Sequence, residues 1–343
     1  MESYRLKIVI ERNIPFIAGV LEPYADVTYL AADEFSPHTV KDADAIVVRT
    51  RTRCDAALLA KSRCRLVATA TIGTDHIDID WCRANGIAVV NAPGCNAPAV
   101  AQYVMAVIIQ LANRPLSQYT LGIVGVGHVG SIVERWARAL DMPVLVCDPP
   151  RMRAEGGDGW SSLDEIAARA DIITFHTPLT RDGDDSTFHI ADRDFFAGLR
   201  RAPLIINSAR GSIVDTPALV EAIDSGLVAN AAIDCWEDEP AISPQLLSRA
   251  AIATPHIAGY SLEGKIRATR IVLDAITNFF YLPRVEALAA NPKGTARAVS
   301  PQTIIESYNP LADTLALKAA PQDFEALRNN YHYRSEPTPA RID

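Results

Sequence analysis

The chain has 343 residues, of which 49% are hydrophobic and 22% charged, and its net charge is −8. These values are ordinary for a globular protein of two or three domains. The acidic balance argues against nucleic acid or an acidic membrane surface as a partner. An anionic substrate would therefore need a local cluster of arginine or lysine.

The six cysteines show no zinc or redox spacing, so we predict no bound metal. Most lie in apolar surroundings, which indicates buried thiols in a reducing compartment. The N-terminus starts on charged residues without a signal-peptide pattern. The most apolar stretch, 97–112, is too short to cross a membrane and is interrupted by Gln102 and Gln110. We expect a cytoplasmic protein without a membrane partner.

The first 95 residues alternate short apolar runs with helical segments, which predicts a parallel α/β sheet. A short helix is expected at Ile14–Leu21. In such sheets the working residues lie just past the carboxyl ends of the strands. That rule indicates Arg49, Thr50, Arg51, Thr71, Gly73 and the loop 91–96.

Three arginines alternate at Arg49, Arg51 and Arg53. On an extended segment, alternation places all three on one side. For any one of them, a solvated surface position is the better interpretation. For the set, we expect at least one to contact an anionic substrate.

The next region, 97–112, is apolar nearly all round, which predicts a helix buried between layers. An apolar run then ends at Val124 and is followed by Gly125, Gly127 and Gly130 in the pattern G-x-G-x-x-G. The first glycine allows a tight turn, the second lets the backbone approach a pyrophosphate, and the third lets helix and strand pack closely. The start of the helix favours the diphosphate.

A second apolar run ends at Asp148, 23 residues after Gly125. A dinucleotide site places an acid there to hold the adenosine ribose hydroxyls. A carboxylate would repel the extra phosphate of NADP, so Asp148 favours NAD, although Arg151 nearby weakens that preference. The pattern could also belong to a β-α-β unit that binds nothing.

Three further segments each follow a predicted strand of a six-stranded doubly wound domain: 207–215, 234–240 and 254–260. We assign His256 as the base that removes a hydroxyl proton, Glu239 as its carboxylate partner and Arg210 as the cation that holds a substrate carboxylate. Glu237 is a rival for the role of Glu239. Each residue alone could instead be structural.

A long helical pattern runs from Gly259 to about Tyr281. The remainder, 284–343, holds Ala-rich and Pro-rich pieces and a charged helix candidate at 323–330. It is too small to fold alone, so we expect an appendage that contributes to a dimer contact.

The segments Gly125–Gly130, Asn207–Gly211, Trp236–Pro240 and Thr254–Gly259 together carry a resemblance. On them the chain resembles the D-isomer-specific 2-hydroxyacid dehydrogenases, over residues 1 to about 283. The resemblance implies two doubly wound parallel-sheet α/β domains with a cleft between them. A flavodoxin-like substrate-binding domain would comprise 1–95 and 257–283, and a Rossmann NAD-binding domain 96–256.

The resemblance also implies site residues. Arg210, Glu239 and His256 would be catalytic, and Thr50, Thr71 and Tyr260 would contact substrate, to which we add Arg49 from its place past a strand. The residues implied to contact NAD, besides the three glycines, are Asp148, Thr177, Ser208, Ala209, Arg210, Asp234 and Gly259.

More specific stretches, among them 68–76 and 256–264, match members of the family that oxidise a small, anionic, phosphorylated hydroxyacid. Those members are homodimers with a C-terminal dimerisation domain. Here the tail is shorter than usual, and 327–331 is its only segment that resembles them.

Two alternatives stay open. A sister enzyme acting on 3-phosphoglycerate or hydroxypyruvate would share every catalytic residue and differ in the pocket around 49–53 and Tyr260. A dinucleotide-sensing corepressor on the same fold would need a peptide-binding surface and a disordered tail, for which the sequence gives no signal.

Overall fold

We describe residues 5–285 and 300–337 of the protein from a computed structural model. The strands in these ranges are β1 (Leu6–Glu11), β2 (Ala25–Leu30), β3 (Ala45–Val48), β4 (Leu66–Thr69), β5 (Ala88–Val90), β6 (Leu121–Val124), β7 (Val144–Cys147), β8 (Ile172–Phe175), β9 (Leu204–Asn207), β10 (Asn230–Ile233) and β11 (Ile252–Ala253). The helices are α1 (Ala56–Leu59), α2 (Ile79–Ala84), α3 (Ala97–Leu111), α4 (His128–Ala139), α5 (Pro149–Glu155), α6 (Leu163–Arg169), α7 (Arg193–Ala197), α8 (Thr216–Asp224), α9 (Pro244–Arg249), α10 (Leu262–Phe279), α11 (Pro301–Ser307), α12 (Pro310–Ala319) and α13 (Phe324–Asn329).

The chain forms two compact units. The first comprises the described residues of Met1–Asn96 and Leu262–Lys293, and the second those of Ala97–Ser261 and Gly294–Asp343. In the first unit a five-stranded parallel sheet has the order β2-β1-β3-β4-β5. This is the flavodoxin-like order, as predicted. Helix α10 contributes Val272 and Ile276 to the core formed around Ile8 and Ile10.

Two local predictions for this unit are wrong. Ile14–Leu21 forms turns instead of a helix, with Phe16 at φ 63° and Gly19 at φ 82°. Arg49 to Arg53 is not extended, because the chain turns there after β3. Alternation along that stretch therefore does not place its three arginines on one side.

In the second unit a six-stranded parallel sheet has the order β7-β6-β8-β9-β10-β11. The six predicted strands with helical connections are confirmed. Strand order reverses between β6 and β8, and doubly wound sheets bind ligands at the carboxyl ends of the strands beside such a switch point. The loops after β9, β10 and β11 lie side by side at the same sheet edge, because these three strands are adjacent and parallel.

The apolar helix α3 is buried, as its sequence predicted. Val104, Met105, Val107 and Ile108 are all fully inaccessible to solvent. These residues of α3 belong to the same hydrophobic cluster as Leu121 and Ile123 of β6. Within 5–285 and 300–337 no helix combines the length and the apolar character that a membrane span requires.

The C-terminal segment packs on the second unit. Helix α11 contacts α3, and α12 covers the edge strand β11. The Thr314 hydroxyl accepts a hydrogen bond from the Ala253 N–H at 3.1 Å, and Lys318 Nζ donates to Ala250 O at 2.5 Å. The charged helix candidate corresponds to α13. The rest of the predicted appendage, 286–299 and 338–343, lies outside the described residues, and its role in dimerisation stays a prediction.

Candidate active site

The glycine turn joins β6 to α4 and gives each of its glycines a different environment. Gly125 has a φ of +89°, and a Cβ there would lie 2.8 Å from Thr177 N. A Cβ on Gly130 would lie 2.1 Å from Gly125 O. A Cβ on Gly127 would meet nothing within 4 Å. The first and third positions are thus closed by protein, while the second faces space that a ligand can occupy.

Asp148, at the end of β7, is joined to this turn. Its Oδ2 accepts the Val126 N–H at 2.8 Å, and its Oδ1 accepts the Arg151 N–H at 3.0 Å, which caps α5. A carboxylate has about four acceptor sites, so lone pairs remain for ribose hydroxyls. Arg151 is held by Val126 O at 2.7 Å and by Glu155 at 2.6 Å. Its guanidinium is therefore engaged by the protein.

Two buried hydroxyls beside the turn have unsatisfied hydrogen-bonding capacity. Thr177 follows β8 and Ser208 follows the adjacent β9. Among the described residues neither Thr177 Oγ1 nor Ser208 Oγ has a hydrogen-bond partner. A buried polar group left unpaired costs about 1–3 kcal/mol. A bound dinucleotide would remove that cost, so these residues, with the space at Gly127, fit NAD.

His256 and Glu239 form a close pair. They follow the neighbouring strands β11 and β10, and His256 Nδ1 lies 2.5 Å from Glu239 Oε1. Glu239 Oε2 accepts the Trp236 N–H at 3.3 Å. Because Nδ1 is engaged, Nε2 is the ring atom available to exchange a proton with a substrate. Burial opposes the charge of Glu239, but the hydrogen bond and charge of His256 outweigh it and hold the pKa of Glu239 below its ordinary value.

The rival carboxylate, Glu237, has other partners. Its Oε1 lies 2.6 Å from His189 Nε2, and its Oε2 accepts the Thr216 N–H at 2.9 Å. Glu237 thus supports the start of α8, where Asp215 is the N-cap. The two acidic residues, two positions apart in sequence, serve different histidines.

Asp234 holds the loop that carries His256. The side chain is 1% exposed, and Oδ1 accepts the Ile257 N–H at 2.8 Å and the Thr254 hydroxyl at 2.6 Å. Oδ2 accepts the Ala258 N–H at 3.0 Å. Burial raises the pKa of Asp234 in spite of these bonds. Both oxygens are therefore used to position the loop, whose turn at Gly259 is closed by a bond from Tyr260 N to Ile257 O of 2.8 Å.

Arg210 lies in a loop that is packed tightly against the Glu239 loop. Asn207 Nδ2 donates to Arg210 O at 2.9 Å, and Arg210 Nη1 donates to Ala209 O at 2.8 Å. A Cβ on Gly211 would lie only 2.0 Å from Trp236 O. The loops after β9 and β10 can therefore approach this closely only because residue 211 is glycine.

The thiol of Cys235 is buried among charged groups of this site. Burial raises the pKa of Cys235, and the charges of Asp234, Glu239, Arg210 and Arg328 all act on the same sulfur. The six cysteines are free and buried. In the described ranges no group of three or more His, Cys, Asp or Glu side chains has a metal-binding arrangement.

Arg49 and Thr50 lie in the first unit, past β3. Buried Glu11 holds their loop, since its Oε2 accepts the Arg49 N–H at 2.8 Å and lies 3.4 Å from the Thr52 hydroxyl. Arg49 Nη1 donates to Asn13 O at 3.2 Å. Thr50 is exposed. Glu11 is not among the predicted site residues, and its signal in the sequence is an acid at the end of an apolar strand.

Thr71, past β4, belongs to a small hydroxyl network in the same unit. Its Oγ1 lies 2.7 Å from Thr69 Oγ1 and donates to Gly73 O at 2.9 Å. Thr69 Oγ1 also lies 3.2 Å from His76 Nε2, and burial lowers the pKa of that imidazole. The hydroxyl is therefore fixed at the strand end, where a ligand could reach it.

Two arginines of the C-terminal segment, neither of them among the predicted site residues, contact the 254–260 loop. Arg328 Nε donates to the Tyr260 hydroxyl at 3.2 Å. Arg334 is 8% exposed and donates to Ile257 O at 3.0 Å, Tyr260 O at 3.2 Å and Ala258 O. The segment 327–331 was the one weak sequence signal for this contribution.

The chain is similar in sequence and in fold to known proteins. The sequence profile of the D-isomer specific 2-hydroxyacid dehydrogenase, NAD binding domain, matches residues 105–258. Among solved structures, the D-lactate dehydrogenase from Aquifex aeolicus complexed with NAD and lactic acid superposes with a TM-score of 0.65 at 24% identity, over 80% of this chain and 95% of that one. The NAD-dependent formate dehydrogenase from Staphylococcus aureus in complex with NAD gives 0.66 at 25% identity, over 83% and 100%.

The chain belongs to the D-isomer-specific 2-hydroxyacid dehydrogenase family, and NAD is its cofactor. Within the family it is 44% identical to the erythronate-4-phosphate dehydrogenase of Bacteroides fragilis, over 98% of this chain and 99% of the relative. The protein of the same name from Porphyromonas gingivalis is 42% identical, over 96% and 94%.

Proposed function

We propose that the protein catalyses the NAD-dependent oxidation of 4-phospho-D-erythronate to 2-oxo-3-hydroxy-4-phosphobutanoate, a step of pyridoxal 5'-phosphate (vitamin B6) biosynthesis. The nearly full-length similarity to erythronate-4-phosphate dehydrogenases supports this substrate. The observation that carries the chemistry is the distance of 2.5 Å between His256 Nδ1 and Glu239 Oε1, on the loops beside Arg210.

Oxidation of a secondary alcohol requires removal of the hydroxyl proton as the carbon loses a hydride. His256 Nε2 accepts that proton, and the Glu239 carboxylate stabilises the resulting imidazolium through Nδ1. Arg210 binds the substrate carboxylate and polarises the neighbouring oxygen. NAD, when bound, supplies the hydride acceptor.

The cofactor is held by groups with distinct tasks. Gly127 and the start of α4 receive the diphosphate, and Asp148 receives the ribose hydroxyls, which selects NAD over NADP. Gly125 and Gly130 shape the turn that binds the cofactor, and the remaining contacts are made by Thr177, Ser208, Ala209, Arg210, Asp234 and Gly259.

On the substrate side, Thr50, Thr71 and Tyr260 contact the hydroxyacid, and Arg49 adds positive charge. The working form is a homodimer to which the C-terminal segment contributes. The buried free thiols of the protein fit the reducing cytoplasm. Light scattering of the purified protein tests the dimer: a mass twice that of the chain supports it, and the mass of one chain contradicts it.

The function is tested by turnover assays with NAD and three substrates: 4-phospho-D-erythronate, 3-phosphoglycerate and D-glycerate. Native mass spectrometry of the purified protein gives the retained nucleotide independently. Preference for 4-phospho-D-erythronate supports the proposal. Equal or better turnover of 3-phosphoglycerate would contradict the proposed substrate. The absence of turnover with all three substrates would contradict the proposed dehydrogenase activity.

A further inference from the structure

Arg328 is a largely buried cation beside the proposed catalytic pair. Its side chain is 19% exposed, and Nη1 lies 4.0 Å from Glu239 Oε1, the oxygen that also contacts His256. Burial alone would lower the pKa of Arg328, but Tyr260 and Glu239 keep that pKa above its ordinary value. The guanidinium therefore stays charged.

Most of its hydrogen-bonding capacity is unused within the described part of the chain. A guanidinium has five N–H donors. Only Nε makes a hydrogen bond there, to the Tyr260 hydroxyl at 3.2 Å. Nη1 has carboxylate neighbours at 4.0 Å in Glu239 and 3.9 Å in Glu325, which is beyond hydrogen-bonding distance. The edge formed by Nη1 and Nη2 is thus available for a planar, two-point contact with an anion.

The proposed substrate needs such a contact. It has a carboxylate next to the reacting carbon and a phosphate at the other end of a four-carbon chain. Arg210 takes the carboxylate, so a second cation has to meet the phosphate. Gly211, next to Arg210, packs against Trp236, and Arg328 lies beside Glu239, so both arginines are placed next to the 234–240 loop of the second unit.

We propose that Arg328 binds the phosphate group of the substrate through its Nη1–Nη2 edge and so sets the preference for a phosphorylated hydroxyacid. This inference rests on the proposed function. Tyr260 contacts the guanidinium at Nε, and helix α13 brings Nη1 to the same Glu239 oxygen that His256 contacts. Phosphate and guanidinium have matching geometry for charge-assisted, bidentate hydrogen bonds.

A purely supporting role for Arg328 makes a different prediction. If the side chain only held Tyr260 and Glu239 in place, its loss would slow every substrate by the same factor. If it binds phosphate, its loss penalises the phosphorylated substrate alone. The ratio of kcat/KM for 4-phospho-D-erythronate to that for unphosphorylated D-erythronate therefore separates the two roles.

The test compares wild type, Arg328→Gln, Arg328→Lys and a control, Arg193→Gln. Arg193 has an exposed ion pair with Glu221 in the same unit, so this control removes one positive charge away from the site. Binding is measured in parallel by calorimetric titration of the NADH-loaded proteins with each ligand, because the alcohol cannot react when the cofactor is already reduced. Melting temperatures show whether each variant is folded.

Arg328→Gln is expected to lower the ratio by about 10- to 100-fold, the loss of one or two charged hydrogen bonds. Arg328→Lys should keep part of the ratio, and Arg193→Gln all of it. The affinity for D-erythronate should stay within about threefold of wild type. An equal loss for both ligands in the folded variant overturns the phosphate contact. Failure of the wild type to oxidise 4-phospho-D-erythronate overturns the proposed function and this inference with it.

Discussion

At the scale of single residues, the chemistry depends on how two acids are divided between two histidines. Glu237 and Glu239 lie in one loop, yet the first contacts His189 and the second His256. The direct contact with His256, on the loop after β11, supports the proposal that Glu239 is the partner of the base. The sequence could not decide this, because both acids follow the same strand.

Replacing the base tests its role directly. His256→Ala should reduce kcat by at least about 1,000-fold, because no other group accepts the hydroxyl proton. The affinity for NAD should stay nearly unchanged, since the turn at Gly127 and Asp148 is untouched. Steady-state kinetics and NAD titration give both values. Activity close to that of the wild type would show that another residue is the base.

Removing the charge of Glu239, the proposed partner of His256, should shift the pH profile of kcat. The lowered pKa of Glu239 keeps it ionised through the working range, so it stabilises protonated His256. In Glu239→Gln that stabilisation is lost, and the acidic limb of kcat for alcohol oxidation should move to lower pH while kcat falls roughly tenfold or more.

The matched control for this variant is Glu237→Gln, which removes the same charge from the carboxylate that contacts His189. Its acidic limb should coincide with that of the wild type. A shift in Glu237→Gln without one in Glu239→Gln would reverse the two assignments.

At the scale of elements, two glycines of the β6–α4 turn have different tasks: Gly130 is needed for folding and Gly127 for binding NAD. Gly130→Ala places a Cβ 2.1 Å from Gly125 O and should lower the free energy of unfolding by about 1–3 kcal/mol. Gly127→Ala enters open space and should leave stability unchanged, yet weaken NAD binding by about tenfold or more, because the methyl group occupies the approach of the diphosphate. Denaturant unfolding and NAD titration of the two variants check this. Equal NAD affinity in Gly127→Ala and wild type would contradict the placement of the diphosphate.

Buried Arg334 joins the C-terminal segment to the 254–260 loop, which carries His256. Arg334→Gln removes the donors to Gln102, Ala99 and three carbonyls of the 257–260 loop. We expect the free energy of unfolding to fall by about 2–5 kcal/mol, since several buried acceptors lose their partner. Exposed Arg193→Gln, the control, should change it by at most about 1 kcal/mol. Similar unfolding curves for both variants would contradict this role of Arg334.

The elements that the sequence predicted well share a physical cause. Continuous apolar runs such as 45–48 and 204–206 form strands that are buried on both faces. The misassigned stretches depend on distant contacts. Glu11 accepts the Arg49 N–H from 38 residues away, and the Thr269 hydroxyl donates to Pro15 O in the turns at 14–21. Arg328 and Arg334 reach partners 68 and 77 residues earlier, which no local pattern encodes.

At the scale of the whole molecule, the chemistry is concentrated in the second unit. The glycine turn, the His256–Glu239 pair, Arg210 and the arginines of the C-terminal segment all belong to it. The covering of β11 by α12 makes this segment part of the same body. The described C-terminal segment can therefore contribute to the proposed active site of its own chain.

We propose that the whole protein oxidises a phosphorylated 2-hydroxyacid with NAD. The most direct measurement is the kcat/KM for NAD reduction with 4-phospho-D-erythronate, set beside the values for 3-phosphoglycerate and D-glycerate. We predict that 4-phospho-D-erythronate is preferred by about tenfold or more over both, and that His256→Ala abolishes the rate. Equal or faster turnover of 3-phosphoglycerate, or turnover that survives in His256→Ala, would contradict it.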